Sequence, residues 1–525
     1  MLWEILVLGL TVLTISHLFK KVNRYPPGPR GLPILGNIFQ LDSVKPWHTF
    51  AKWKEVYGPI IYLDVAGQPV VILNSKKVAE DLLERRASNY ADRHRFIVLD
   101  KTTGDSIIAF MRPGERWRKM RRASDHALGL KASNNYHNAQ TNESVLLAYG
   151  ILNQPNTWQS QIERLASSST SLSMVYDLPP LHSLHDPAVN FMNSFVKCIG
   201  RVAMPGSFLV DMFPILERVP LFLVKWKRDA EINFNKFSSR FEDMFSKVKN
   251  EVASGNEQRP SFCVNLVENQ KQNKLSDQDC AWLAGALYSA GHETTATTMN
   301  WFIFSMIQFP EIQMRAQEEL DRIVGRSRLP SFADIKHLPY IHAIVKEVLR
   351  WRPAVPTGVP HIPIEVLLSL LDDYYEGYFI PKGTLCIPCA WSINRDTEVY
   401  GSDADEFRPE RHLNEKGQLK DETDEGHVTY GFGQRICAGR YVANNALFIQ
   451  LAVILWTMRL EAIRDSTGVP LKPEIHAEDS NGIFVRPPPF EIHAVARSQD
   501  AEAIIQQARD EVMEEALARL DVSQY

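Results

Sequence analysis

Tyr430-Gly431-Phe432-Gly433-Gln434-Arg435-Ile436-Cys437-Ala438-Gly439 is followed by a long apolar run, residues 441–458. Glycines on both sides of the cysteine let the backbone come close to something flat and aim its N–H groups at the sulfur. A helix built from the apolar run places its positive end beside Cys437, which lowers a thiol pKa. A lone cysteine is usually a buried structural thiol. A cysteine in a Gly-rich loop, preceded by Arg435 and opening a helix, reads as an anionic ligand.

Upstream, Ala343-Ile344-Val345-Lys346-Glu347-Val348-Leu349-Arg350-Trp351 sets Glu347 and Arg350 three residues apart on one helix face, and Pro353 stops that helix. The pair is either a surface ion pair worth little or, among such apolar neighbours, a buried one that needs further partners. Phe407-Arg408-Pro409-Glu410-Arg411 could supply them.

Further back, Ser276 and Asp279 make a capping-box pattern, and no proline follows until Pro310. The sequence predicts a helix of roughly 33 residues, about 50 Å at ~1.5 Å per residue. Trp282, Leu283, Leu287, Met299, Trp301, Phe302, Ile303 and Phe304 make it apolar on nearly every face, so it runs buried through the protein. Its centre, Ala290-Gly291-His292-Glu293-Thr294-Thr295, is polar. That island is either a kink with locally satisfied side chains or a functional site, because a mid-helix Thr bonds back one turn and bends the helix.

The rest of the chain frames these motifs. Of 525 residues, 45% are hydrophobic and 23% charged, which excludes extensive disorder. A net charge of −4 gives no overall pull toward nucleic acid. Six cysteines are too sparse for a disulfide scaffold. Cys386 and Cys389 form a CxxC without a second pair at zinc spacing, so buried thiols are expected. Ile60-Ile61-Tyr62-Leu63 and Val70-Val71-Ile72-Leu73 flank Gly67-Gln68-Pro69 as a hairpin. Residues 75–352 have mostly helical periodicity, and short strands return at Tyr378-Phe379-Ile380 and Leu385-Cys386-Ile387. The expected fold class is mainly α with small β-sheets (α+β).

Leu2 to Phe19 is nearly all apolar, and Lys20, Lys21 and Arg24 follow it. About 18 residues is near the lower limit for crossing a bilayer, and the basic C-terminal flank keeps the body cytoplasmic. Residues 1–20 therefore read as a membrane anchor, a removed signal peptide being the alternative. Residues 21–35 are a proline-rich tether, 36–500 the main domain, and 501–525 an exposed amphipathic helical tail. Asn142-Glu143-Ser144 is a glycosylation pattern that a cytosol-facing chain would not have modified.

Together these segments resemble the cytochrome P-450 superfamily over essentially the whole chain, most closely its fungal microsomal members of secondary metabolism. The resemblance implies a long central helix over haem b, with Cys437 as axial thiolate ligand of the iron. It makes Trp117, Arg121, Arg435 and His361 partners of the haem propionates, against simple packing for Trp117 and His361. Thr294, helped by Glu293, would relay protons to the distal oxygen. Glu347, Arg350 and Arg411 would be structural. The implied reaction oxidises an apolar small molecule, terpenoid or aromatic, with electrons passed from NADPH by a flavoprotein reductase at the endoplasmic reticulum membrane.

Two departures stand out. Tyr430 replaces the usual Phe, and its hydroxyl needs a partner. Ile362-Pro363-Ile364-Glu365-Val366-Leu367-Leu368-Ser369-Leu370-Leu371 is an apolar insert where relatives have fewer residues and a polar turn. It reflects either a misplaced splice boundary or an authentic variant. Two rival readings are a membrane-tethered haem-binding protein without turnover and a same-fold enzyme that rearranges its substrate.

Overall fold

The central helix spans Asp277–Gln308. Ser276 caps it as expected: its hydroxyl accepts from the Asp279 N–H at 3.0 Å, and the Asp279 carboxylate accepts from the Ser276 N–H at 3.1 Å. This is a computed structural model, and it describes residues 24–181, 183, 186–204, 206–255, 259–363 and 373–522. The expected anchor, residues 1–20, lies outside the described residues, as do residues 364–371 of the apolar insert. Among the described residues no helix is long and apolar enough to cross a membrane.

The two apolar halves of the central helix pack into different cores. Trp282, Leu283 and Tyr288 join Phe195, Phe237 and Phe241. Met299, Phe302, Ile303 and Ile307 join Ile344 and Val348 of the Pro339–Trp351 helix and Phe448, Leu451 and Leu455 of the Arg440–Thr457 helix. Each fully buried side chain of this kind contributes about 1.5–3 kcal/mol, so both halves are anchored. The polar island falls at the joint between them. That is where apolar packing is not required of the helix.

Four small sheets surround the helices among the described residues. Strands β1 (Ile60–Val65) and β2 (Gln68–Leu73) are antiparallel, with Ile60 opposite Leu73 and Val65 opposite Gln68. The two-stranded ribbon β3 (Asp373–Tyr375) and β4 (Tyr378–Ile380) comes next, and β5 (Leu385–Pro388) then adds parallel to β2. Toward the C-terminus β6 (Met458–Ala462) pairs with β9 (Ile492–Ala496), and β7 (Asp479–Ser480) with β8 (Val485–Arg486).

The first hairpin turns one position earlier than the proline suggested. Ala66 and Gly67 carry φ of 49° and 88°, as a two-residue type I′ turn requires. Proline cannot enter such a turn because its ring holds φ near about −65°. Pro69 instead sits in β2 opposite Asp64.

The proline-rich stretch docks on this sheet rather than standing off it, since the Tyr62 N–H donates to the Pro27 carbonyl at 2.9 Å. Gly28 permits the approach: a Cβ there would lie 2.0 Å from the Tyr62 oxygen. Cys386 and Cys389 are free, buried thiols, as expected.

The tail is an amphipathic helix, docked along its apolar face rather than exposed all round. Residues Gln499–Val522 are helical, and Ala501, Ile505 and Val512 are buried in the main core. Its apolar stripe packs mainly on the His137–Asn153 helix, with further contacts to the Arg440–Thr457 helix and β9. The His137–Asn153 helix contains the glycosylation pattern, with Glu143 and Ser144 buried.

Candidate functional site

The loop before the Arg440–Thr457 helix is shaped by its glycines. Gly431 and Gly433 have φ of 78° and 53°, and a Cβ on Gly433 would lie 2.2 Å from the Leu83 carbonyl. The Cys437 N–H closes the loop onto the Tyr430 carbonyl at 2.8 Å. The Tyr430 hydroxyl finds its partner in Asn444 Oδ1 at 2.6 Å, and Asn444 in turn donates to Glu425 at 2.8 Å.

Burial pushes the Cys437 thiol up, and the Gly439 N–H, Arg121 and Arg440 pull against it. The sequence expectation of a lowered pKa is thus reversed in the unligated thiol. Desolvation outweighs the helix end, because that end offers one N–H while the cavity wall removes water.

A buried ion network underpins the loop. Glu347 receives two bonds from Arg350 (Nε 2.7 Å, Nη2 2.8 Å), one from Arg411 Nε at 3.0 Å and one from the Arg408 N–H at 2.7 Å. His412 Nε2 lies 3.0 Å from its other oxygen. Arg350 also donates to the carbonyls of Asn394, Ala404 and Glu406. Asn394 then accepts from the Val428 N–H and donates to Thr429, whose hydroxyl bonds the Leu349 carbonyl. The pair is therefore buried, as its apolar neighbours suggested, and residues 407–411 do complete it. It reaches the Cys437 loop through Asn394.

Cys437, Arg435, Trp117, Arg121, His361 and Thr294 line one cavity. Ile107, Ile108, Leu287, Val355 and Val359 make much of its wall apolar. Arg93, which sequence reading missed, lines it too. Arg435 donates to the carbonyls of Ala91, Ile108 and Met111 and lies 4.0 Å over the Trp117 ring. Arg93 donates to the carbonyls of Ala109, Val359 and Pro360. Trp117 Nε1 donates to the Ile108 carbonyl at 3.1 Å, and Arg121 to the Ile436 carbonyl at 2.7 Å.

Arg121 also pairs with Asp125 at 3.0 Å, but the two deeper arginines lack counter-ions. Among the described residues neither Arg93 nor Arg435 has a carboxylate at ion-pair distance, and nearby Asp92 is taken by Arg112 at 2.6 Å. Burial and Arg435 hold Arg93 well below its ordinary pKa, while burial brings Arg435 to about 10. Burial and Arg93 likewise depress His361. Its Nδ1–H is given to the Tyr90 carbonyl at 2.8 Å, so Nε2 donates only once an anion favours the protonated ring. Such a crowded cationic edge calls for an anionic ligand.

His292, Glu293 and Thr294 of the polar island each find partners. Thr294 Oγ1 donates to the Ala290 carbonyl at 2.7 Å, one turn back. His292 Nε2 lies 2.7 Å from Asn193 Oδ1, and its Nδ1 lies 3.0 Å from Ser168 Oγ. Burial takes its pKa down to about 4, which keeps the ring neutral. Ala290, Gly291, Thr294 and Thr295 face the cavity. Glu293 does not line it. Its carboxylate is held by Arg486 on β8.

Residues 26–493 match the family model for cytochrome P450. The chain belongs to the cytochrome P450 family. A cytochrome P450 monooxygenase of Armillaria gallica is 48% identical over 95% of this chain and 94% of its own length. One from Postia placenta is 43% identical over 95% and 94%, and one from Amanita muscaria is 36% identical over 97% of each. As a cytochrome P450 monooxygenase the protein is an oxidoreductase.

The family's cofactor is a haem held by a cysteine thiolate, and the cavity of this cytochrome P450 fits one. A thiol opens into it, its faces are largely apolar, and its edge carries Arg93 and Arg435 without counter-ions, suited to the two carboxylates of a haem. The sequence could have flagged Arg93 only as one member of the charged run Asp92-Arg93-His94-Arg95. It could have flagged His412 only by its adjacency to Arg411. Arg486, in Val485-Arg486-Pro487, carries no local signal.

Proposed function

We propose that this cytochrome P450 is a haem-thiolate monooxygenase that oxidises an apolar small molecule with dioxygen. NADPH supplies the electrons through a flavoprotein reductase, and the setting is fungal secondary metabolism of terpenoid or aromatic compounds. The reading is carried by one observation: Cys437, Thr294 and the Arg93–Arg435 edge share a single, largely apolar cavity. Haem b, when bound, supplies the iron centre at which dioxygen is activated.

Each side chain then has a task. Cys437 Sγ holds the iron as thiolate. Arg93 and Arg435 hold the propionates, and His361, Trp117 and Arg121 shape that edge. The apolar wall excludes water and orients the substrate. Thr294 Oγ1 accepts a proton as it passes its own onward, because its bond to the Ala290 carbonyl leaves its lone pairs open. Glu293 replenishes it. This acid–hydroxyl pair favours oxygenation over rearrangement or mere haem binding. Residues 1–20 are proposed as the anchor to the endoplasmic reticulum membrane, 21–35 as the tether, 36–500 as the catalytic body and 501–525 as an appended helix.

Turnover with NADPH and reductase tests the whole reading. Haem uptake without any oxygen-dependent product would sink it. Thr294→Ala is expected to keep haem while product per NADPH falls about a hundredfold, the lower end of the ~10²–10⁴ of a positioned proton donor, and peroxide rises. Tight coupling in that variant would remove Thr294 from the path. Arg93→Ala is expected to speed haem loss to a scavenging apoprotein by about tenfold or more, since charged hydrogen bonds contribute ~1.5–3 kcal/mol. An unchanged rate would free Arg93 of the propionates.

A further inference from the structure

The family match ends at residue 493, and the Gln499–Val522 helix lies beyond it. Ala501, Ile505, Val512 and Ala516 are all buried. At ~100° per residue they fall within about 60° of one another around the axis. The opposite face stays in water through Glu502, Gln506, Gln507 and Glu514. Such a helix has one stripe to cover, and the His137–Asn153 helix covers most of it. Arg509 adds a cation–π contact, 5.4 Å from the Tyr149 ring.

That neighbour reaches the haem cavity at two places. Gln140 Nε2 donates to the Val442 carbonyl at 2.9 Å, and Ser169 Oγ donates to Glu143 Oε1 at 2.5 Å. Val442 lines the cavity, and so do Thr170 and Ser171, the two residues after Ser169. Gln140 and Glu143 are both buried and stand three apart, on one face of their helix. Two wall segments from distant parts of the chain thus hang from a single helix.

A second connection bypasses it. Arg259 Nη1 donates to Glu515 Oε1 at 2.8 Å, and its Nε donates to Asp177 Oδ1 at 3.1 Å. Asp177 ends the Thr170–Tyr176 helix with φ of 56°. Arg259 shortly precedes Phe262, which opens the Phe262–Asn273 helix. Met174, Val175 and Phe262 all line the cavity. One guanidinium therefore ties the tail to the ends of two elements that form the wall.

The bonds from Gln140 and Glu143 fix the wall relative to the His137–Asn153 helix, but they do not fix that helix. Its hold comes from burial, and uncovering the tail's stripe would put apolar surface back into water. Local opening then starts behind the wall.

We propose that the Gln499–Val522 helix is a strap that fixes the rear wall of the haem cavity, with Arg259 as its clasp. The proposal rests on the reading of that cavity as the haem site. Arg259, Glu515 and the buried stripe are positioning groups, since none of them lines the cavity.

The full-length, haem-loaded enzyme is compared with the same enzyme lacking residues 499–525 and with Glu515→Lys. The substitution reverses the charge at an exposed position and leaves the apolar stripe in place. The readouts are haem transfer to a scavenging apoprotein and amide hydrogen exchange. Removal of the tail is expected to speed haem loss about tenfold. Exchange at residues 169–176 and 442–446 should rise by a similar factor, while the Ile60–Leu73 hairpin keeps its wild-type exchange. Glu515→Lys should give the same pattern at about threefold, the scale of one exposed ion pair, and Glu515→Gln should fall between it and wild type. Wild-type haem loss in both altered enzymes overturns the strap. So does exchange that rises evenly over the hairpin and the wall segments, which is what a general stabiliser of the fold produces. If the shortened chain does not fold, Glu515→Lys carries the test by the same two criteria. A wild-type chain that takes up no haem sinks the haem reading instead, and exchange at the wall segments still decides the strap.

Discussion

Cys437→Ala is expected to abolish the thiolate-type carbon-monoxide spectrum of the reduced protein and all turnover, while the fold survives. The substitution removes one sulfur atom from a half-buried position. The bond that closes the loop comes from the backbone, Cys437 N–H to the Tyr430 carbonyl, and alanine keeps it. Glycine conformations at Gly431 and Gly433 are untouched, and so is the Glu347 network beneath. Circular dichroism and thermal midpoint should therefore stay close to wild type. Haem that still enters would be held by its edge and faces alone, without the ligand that donates electron density to the iron. The measurement is the difference spectrum of reduced protein with and without carbon monoxide, at equal folded protein. A thiolate-type band in the variant would mean that another cysteine is the ligand. None of the other five cysteines lines the cavity, so no substitute is in place.

What the sequence discloses follows the range of the interactions involved. The central helix was legible because Ser276, Asp279 and Pro310 punctuate it locally and its apolar surface needs no partner to be recognised. The Cys437 loop was legible for the same reason, since its glycines act on their own φ angles. Arg93 was not, because an Asp-Arg-His-Arg run reads as a solvated face. Its burial is made by the Val359 and Pro360 carbonyls, which lie 266 and 267 residues further along the chain. Arg486 was hidden in the same way: it meets Glu293 across 193 residues. Glu293 shows the limit most sharply. Its place beside Thr294 suggested a shared direction, yet successive helix residues point about 100° apart. One position sufficed to turn its carboxylate out of the cavity and toward Arg486.

Glu347→Ala should have the largest effect on stability. Glu347 and Arg350 are both fully buried. Removing the carboxylate leaves the guanidiniums of Arg350 and Arg411 facing each other without it, and strips the Arg408 N–H of its acceptor. Breaking a buried pair on one side costs about 3–5 kcal/mol, a large share of the ~5–15 kcal/mol that holds a typical domain. Glu347→Gln keeps an acceptor oxygen but not the charge, and should fall between wild type and alanine. Burial works to raise the Glu347 pKa, but bonds from Arg350 and His412 prevail and bring it to about 2. An unfolded glutamate titrates near ~4.3. The network's contribution is therefore complete above about pH 4.3 and is lost as pH falls toward 2. Urea unfolding at neutral and acid pH measures both effects, and haem content after expression reports the loop. Wild-type stability with full haem in Glu347→Ala would detach the network from the Cys437 loop. The expected result is the reverse, because Arg350 holds the Asn394 carbonyl and Asn394 holds Val428 and Thr429. Strain released at Glu347 thus reaches the backbone two residues before Gly431, where the cysteine loop begins its turn.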